Sequence, residues 1–572
     1  MARTPRSQLA IAMARGDVEA DLLLVGGKVF SSATREWVET SLAIGDGAIV
    51  GWGDRGAKEV VDVSGAYLIP SFIDAHMHLE STKLWVDEFV SLVLAAGTTA
   101  VVADPHELAN VFGIPGVAEL IDAASDLPFT FKVVASSCVP ASQFESPGAE
   151  ISVEDIEDLM DHYGAIGVAE VMNYPGVIAG DPIMLKKIAS AKGKRVDGHA
   201  PMVRGKSLDA YLTAGVESDH ECTSFEEAHE KRQKGMWIFI REGSASKNLN
   251  DLIKTVLVGG TDRIALCTDD REPSSLIRRG HVNDCVAMAV AAGVSPEDAI
   301  IIGSTNAAQY HNLHDLGSLA PGYQADLLVL DNLVDFKPSR VYVRGSLVAQ
   351  NGTILEGVVP SRPAPSWMQS SVRLARQFTK EDFEIEVDPD KSYKVIGVHH
   401  DSLSTTHLVR SGSQVADCAR IAVIERHRGT GRFGLGLVSG FNLTQGAIAS
   451  TVAHDAHNIM VLGSMAQNGA SDMAIAIETL NEIGGGQVAV LDGQVIAVVP
   501  LIIGGLISTK RATEIAAELE NLEAQAHSSL GITLPAPFMV LSFLGLSVIP
   551  ELRITDLGLI DVVSFTKTTL TN

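Results

Sequence analysis

From residue 67 the chain repeats one rhythm: a short apolar run, a polar loop, then a stretch with helical spacing of apolar residues. The apolar runs fall at 67–73, 98–103, 129–136, 165–171, 194–198, 215–219, 236–241 and 263–268. Helical patterns lie between most of them, as from Val153 to His162 and from Pro182 to Ala191. Eight strands alternating with helices over about 245 residues are the scale of an α/β fold of the (β/α)8 barrel type. In such a barrel the C-terminal ends of all strands face one mouth, so residues distant in sequence converge there.

The flanks carry a different pattern. Residues 21–66 are short apolar runs separated by Gly26-Gly27 and Asp46-Gly47, which are hairpin signals. The β pattern returns after the helical stretch around Ser295–Tyr310, and Ala325-Asp326-Leu327-Leu328 echoes Ala20-Asp21-Leu22-Leu23. The expectation is that residues 1–66 and 317–356 pair into one β-sandwich flanking a barrel of residues 67–316. Pro360, Pro363 and Pro365 mark residues 357–372 as a linker. Residues 373–572, rich in glycine and β-like apolar runs, read as a C-terminal α+β domain.

Composition narrows the partners. The net charge of −26 over 572 residues argues against nucleic acid or an anionic membrane as the partner. The longest apolar region, Val488 to Leu506, is broken by Asp492, Gln494 and Pro500 and reads as buried strands, not a membrane span. Arg3 and Arg6 have no apolar stretch behind them, so a signal peptide is not expected. Cys138, Cys222, Cys267, Cys285 and Cys418 are scattered without a CxxC, which fits free thiols in the cytoplasm. A homo-oligomer, in the first instance a dimer, is the expected assembly.

The chemistry lies in what terminates each strand. The first run ends in Asp74-Ala75-His76-Met77-His78, and residues i and i+2 of a strand share a face, so both imidazoles point one way. The fourth ends in Ala169-Glu170-Val171, the fifth in Asp197-Gly198-His199, the sixth in Asp219-His220-Glu221 and the eighth in Thr268-Asp269-Asp270. Four imidazoles and two carboxylates at one mouth suit two divalent cations such as Zn, Fe or Mn, with Glu170 placed to bridge them. Such ions lower the pKa of a bound water toward about 7, and a carboxylate must take its proton. Asp269 is the first choice for that role. Asp270 and Glu272 are adjacent choices for proton relay or substrate contact, and His220 sits beside the same water. The C-terminal domain adds His454-Asp455-Ala456-His457 after a small-residue segment. That piece reads either as histidines satisfying local backbone groups or as part of the site.

These residues resemble the amidohydrolase superfamily of metal-dependent hydrolases over residues 20–350. Many members use a carbamylated lysine on the fourth strand; here Glu170 stands in Ile166-Gly167-Val168-Ala169-Glu170-Val171-Met172 without a lysine. More narrowly, Asp104-Pro105-His106-Glu107-Leu108-Ala109-Asn110, Ser136-Ser137-Cys138-Val139-Pro140, Ala169-Glu170-Val171-Met172-Asn173 and His454-Asp455-Ala456-His457-Asn458 are similar to the adenine deaminase family of purine salvage. The resemblance implies attack of activated water on C6 of adenine to give hypoxanthine and ammonia. It also implies a pair of Mn(II) or Fe(II) ions, with Zn(II) as an alternative. The H-x-E…P-C-x-x-C signature of nucleic-acid base deaminases is missing, which points away from polynucleotide substrates. Asp104, Glu107, Ser137, His454 and His457 are the expected substrate contacts. The competing expectation is another amidohydrolase that cleaves an amide or cyclic amide, such as an N-acetyl sugar deacetylase.

Overall fold

The computed structural model describes residues 5–244, 246–399, 404–466 and 468–571. Eight parallel strands close a barrel: Phe72–Met77, Thr98–Ala103, Thr130–Val133, Gly167–Val171, Arg195–Gly198, Ser218–Asp219, Trp237–Arg241 and Ile264–Cys267. Ladders join strands one to three, four to five and six to eight. Single bridges complete the circle, Ala135 with Val168 and Met77 with Asp269. The Glu217 N–H donates to the Val196 carbonyl at 2.9 Å between the fifth and sixth strands. These strands are almost entirely buried because helices cover their outer face and side chains fill the interior, as in other barrels of this type.

The first run divides where one strand was expected over 67–73. Tyr67–Pro70 pairs antiparallel with Leu327–Leu330 in the flanking sheet, and the barrel strand starts only at Phe72. Pro70 has no N–H to donate, and Ser71 turns the chain from one sheet to the other, its N–H bonded to the Asp326 carbonyl. The sixth strand is also shorter than expected, two residues instead of 215–219.

Residues from both flanks share one seven-stranded sheet, in which Leu327–Leu330 lies between Pro338–Val343 and Tyr67–Pro70, followed by Lys28–Ser31. A four-stranded sheet built on Ala20–Val25 faces it, and Leu22, Leu24, Ile44, Val29, Leu68, Leu327 and Val329 pack between them. The C-terminal part is an eight-stranded sheet from Ser392–Val398 to Gln494–Pro500, with the helix Gly469–Ile483 packed against it. It is fused to the barrel. Leu84, Trp85 and Leu108 of the barrel share a core with Ala453, Leu501, Ile503 and Phe538. Residues 357–372 form a strap, not a loose spacer: Ala364 and Met368 are buried, and the Gly504 N–H donates to the Met368 carbonyl at 2.9 Å. Among the described residues no helix is long and apolar enough to cross a membrane.

Candidate active site

The barrel mouth gathers His76, His78, Glu170, His199, His220 and Asp269. Barrel closure itself aligns the first and last strands there, because the Asp269 N–H donates to the His76 carbonyl and the His78 N–H to the Asp269 carbonyl. Asp269 turns at φ 55°, a left-handed conformation uncommon outside glycine and typical of sites that over-determine one residue. Behind this pair Asp74 accepts from the His76 and Thr268 N–H groups, tying the two strands a second time. Gly198 precedes His199 because a Cβ there would meet the Ser218 carbonyl at 2.3 Å.

Glu170 divides its two oxygens between two sets of imidazoles. Its Oε1 lies 3.5 Å from His78 Nε2, and its Oε2 lies 2.9 Å from His199 Nδ1 and 3.2 Å from His220 Nε2. Asp269 Oδ1 lies 3.2 Å from His78 Nε2 and 3.6 Å from His76 Nε2. Donors that share one tetrahedral ion at about 2.1 Å each sit about 3.4 Å apart, so these spacings suit cations. The ring orientations suit them too. His78 donates its Nδ1–H to the Asp104 carbonyl at 2.9 Å, which fixes the tautomer and turns the Nε2 lone pair to the mouth. His76 Nε2 is buried with no hydrogen-bond partner among the described residues, a costly state for an imidazole unless a ligand meets it. The donor set fits divalent metal.

Charge within the cluster is balanced internally. Burial alone would raise the Glu170 carboxyl; hydrogen bonds from His199 and His220 overcome it and hold the group well below the usual carboxylate range. Burial is likewise overcome at Asp269, mainly by the Arg241 guanidinium, which donates to Oδ2 at 2.7 Å. Arg241 also pairs with Glu221, which flanks His199 and His220 at 3.6 and 3.5 Å. Glu107 moves the other way, raised by burial and by Asp270 against the pull of His454.

The cavity above this cluster holds about 90 Å³. Glu107, Asp270 and Glu272 line it from the barrel, and the C-terminal domain adds the apolar side chains of Phe538, Phe543 and Ile549. Ser81 Oγ donates to Asp270 and lies 3.4 Å from Glu107 Oε1, while Glu272 accepts from Lys83 Nζ at 2.9 Å. His454 lines the cavity, stacked on Phe543 at 4.4 Å, its Nδ1 3.3 Å from Glu107 Oε1. His457 lies behind, its Nε2 3.8 Å from Glu107 Oε2. Burial and the charges of His454 and Arg426 keep His457 well below the ordinary imidazole value.

Three expected substrate contacts, His457, Asp104 and Ser137, do not line the cavity. Asp104 is used below it, accepting from Ser136 Oγ at 2.7 Å and facing His106 Nδ1 at 3.2 Å. Ser137 donates its hydroxyl to the Glu170 carbonyl at 2.8 Å and so supports the fourth strand instead. Sequence reasoning passed over His106, Glu221, Arg241, Ser81 and Lys83, all of which line the cavity. Three had the same signal as the chosen residues: Arg241 ends the seventh strand, Glu221 follows His220, and His106 opens the helix after the second strand.

A closed parallel barrel with imidazole and carboxylate donors at its C-terminal mouth defines a metal-dependent hydrolase of the amidohydrolase class, and residues 67–348 match the amidohydrolase family. Residues 399–566 match the adenine deaminase C-terminal domain. Adenine deaminase 2 of Carboxydothermus hydrogenoformans is 42% identical over 97% of this chain and 98% of its own length. Adenine deaminase of Methanothrix thermoacetophila is 43% identical over 97% and 98%. A solved beta-aspartyl dipeptidase of Fervidobacterium islandicum AW-1 covers 59% of this chain and 98% of its own at 16% identity, with a TM-score of 0.45. The chain belongs to the adenine deaminase family.

Proposed function

We propose that this chain hydrolyses adenine to hypoxanthine and ammonia at the barrel mouth. The observation that carries the choice of substrate is that the domain shared with adenine deaminases supplies one wall of the cavity, so the family match and the site coincide. His76, His78, Asp269 and Glu170 would hold one divalent cation, and Glu170, His199 and His220 a second, with Mn(II) or Fe(II) as the native pair and Zn(II) as an alternative. When bound, such ions supply Lewis-acid activation of a water, lowering its pKa to about 7.

The chain's own groups do the rest. Asp269, whose Oδ2 accepts from Arg241, takes the water's proton. Oxygen bonds to C6 as the C6=N1 π pair moves onto N1, the Asp269 proton passes to the N6 amino group, and return of the pair to C6=N1 breaks the C6–N6 bond, releasing ammonia and the hydroxy tautomer of hypoxanthine. Glu107, linked through Ser81 to Asp270, and His454 offer hydrogen-bond partners to the ring nitrogens, and Glu272 closes the rim with Lys83. Phe538, Phe543 and Ile549 exclude water from the ring face. All five cysteines are free and buried, which supports a cytoplasmic setting.

Ammonia release from adenine by protein supplied with Mn(II) or Fe(II) tests this, with adenosine, cytosine and N-acetylglucosamine 6-phosphate in parallel. Turnover of adenine alone is expected. Turnover of the amino-sugar substrate without adenine would overturn the assignment.

A further inference from the structure

Glu107 stands on the helix after the second barrel strand, yet the donors that face it come from elsewhere. Its Oε1 meets Ser81 Oγ at 3.4 Å and His454 Nδ1 at 3.3 Å. Its Oε2 faces only the C-terminal domain in these contacts, through His457 Nε2 at 3.8 Å. That separation exceeds a hydrogen bond, and His457 Nε2 is buried with no hydrogen-bond partner among the described residues.

The tautomer of His457 is readable from its other nitrogen. The Ala453 N–H donates to His457 Nδ1 at 3.1 Å, and only an unprotonated ring nitrogen can accept. The ring proton therefore sits on Nε2, aimed at Glu107. This is the reverse of His78, whose Nδ1 donates and whose Nε2 lone pair is free. Glu107, His454 and His457 are close enough to hold a metal, but Nε2 of His457 has no lone pair to give while Nδ1 serves Ala453. The site is a hydrogen-bonding one.

The loop that presents His457 is clamped. Arg426 is fully buried and donates from Nε to the His457 carbonyl, from Nη1 to Ser371 Oγ at 2.8 Å and from Nη2 to the Gly504 carbonyl at 2.8 Å. Gly505, at φ +73°, makes room for that guanidinium, since a Cβ there would come within 2.9 Å of it. The His457 carbonyl is fixed independently of Glu107.

We propose that His457 is a positioning residue for Glu107: its Nε2–H closes onto Glu107 Oε2 when the purine binds, leaving Oε1 to read an N–H of the ring. Hydrogen bonds of this kind are often long in unliganded sites and tighten in the complex. The proposal rests on the adenine assignment for its substrate and on the tautomer for its geometry, and the two are tested separately.

The test compares His457→Phe and His457→Gln, whose amide can replace the Nε2 donor, for KM, kcat, metal content and melting temperature. His457→Phe is expected to raise KM for adenine about tenfold with kcat changed less and metal content unchanged, and His457→Gln to recover most of the loss. Wild-type KM in the phenylalanine variant, or no recovery in a folded, metal-loaded glutamine variant, overturns the proposal. Should the phenylalanine variant not fold, 15N NMR of the wild-type ring decides: a protonated Nε2 and bare Nδ1 across the neutral range are expected, and the opposite tautomer overturns it. That spectrum holds whether or not adenine is the substrate, whereas absent adenine turnover by the wild type counts against the assigned reaction alone.

Discussion

Two groups of histidines stand at the site, one on the barrel and one on the C-terminal domain, and they are prepared in opposite ways. On the barrel side His78 spends its Nδ1–H on a backbone carbonyl, and His76 Nε2 meets no hydrogen-bond partner among the described residues. On the C-terminal side His457 accepts a backbone N–H at Nδ1 and presents a proton, and His454 lies flat on Phe543 with its Nδ1 at Glu107. The difference teaches that proximity of imidazoles and carboxylates does not define a metal site. What the second nitrogen of each ring does decides whether the first can be a ligand or must be a donor.

The sharpest way to break this contrast is to change one group and watch the other's property. Asp269→Asn is expected to lower kcat about 10³-fold or more while bound metal largely persists, because the proton acceptor is lost but an oxygen donor remains. Wild-type turnover in that variant would remove Asp269 from the proton path. Glu170→Gln takes the shared carboxylate from both sets of imidazoles, so metal per chain should fall; elemental analysis showing an unchanged content would remove it from the ligands.

The scaffolds behind the two groups also differ. Fully buried Lys231 braces the fifth and sixth strands through the Ala200 carbonyl, Asp219 at 3.1 Å and Glu227 at 2.7 Å. Lys231→Met leaves two carboxylates buried without their cation and should cost about 3 kcal/mol in urea unfolding. Asp219 is held at about 2 in the fold, with Lys231 the main charge that overcomes its burial. Its contribution, about 2 kcal/mol, is present above the unfolded value near 3.8 and is lost as pH falls toward 2. An acid-unfolding curve of Lys231→Met that matched the wild type would contradict this. The smallest effect belongs to His454→Ala, where KM for adenine should rise about fivefold with metal content constant. Loss of metal there would erase the contrast between the two groups.

Much of the barrel side was legible in the sequence because strand ends converge by topology alone. His76, His78, Glu170, His199, His220 and Asp269 needed only eight apolar runs and the residue closing each. Arg241 met the same criterion and was missed because an arginine is not a ligand; its value lies in holding Asp269 Oδ2, a contact visible only in three dimensions. The split at Pro70-Ser71 was hidden because two strands of different sheets abut with one residue between them. Asp104 and Ser137 sit at strand ends like the true cavity residues, but their side chains are taken up by Ser136, His106 and the Glu170 carbonyl. On the C-terminal side the motif at 454–457 was visible, yet its histidines lie against Glu107, some 350 residues earlier, and no spacing rule links them.

The most direct test of the account is to strip the protein with a chelator and titrate Mn(II) back while following ammonia release from adenine. Activity is expected to vanish in the stripped protein and to return in proportion to metal, reaching its plateau at two ions per chain. Full adenine turnover by protein shown to be metal-free would contradict the central claim.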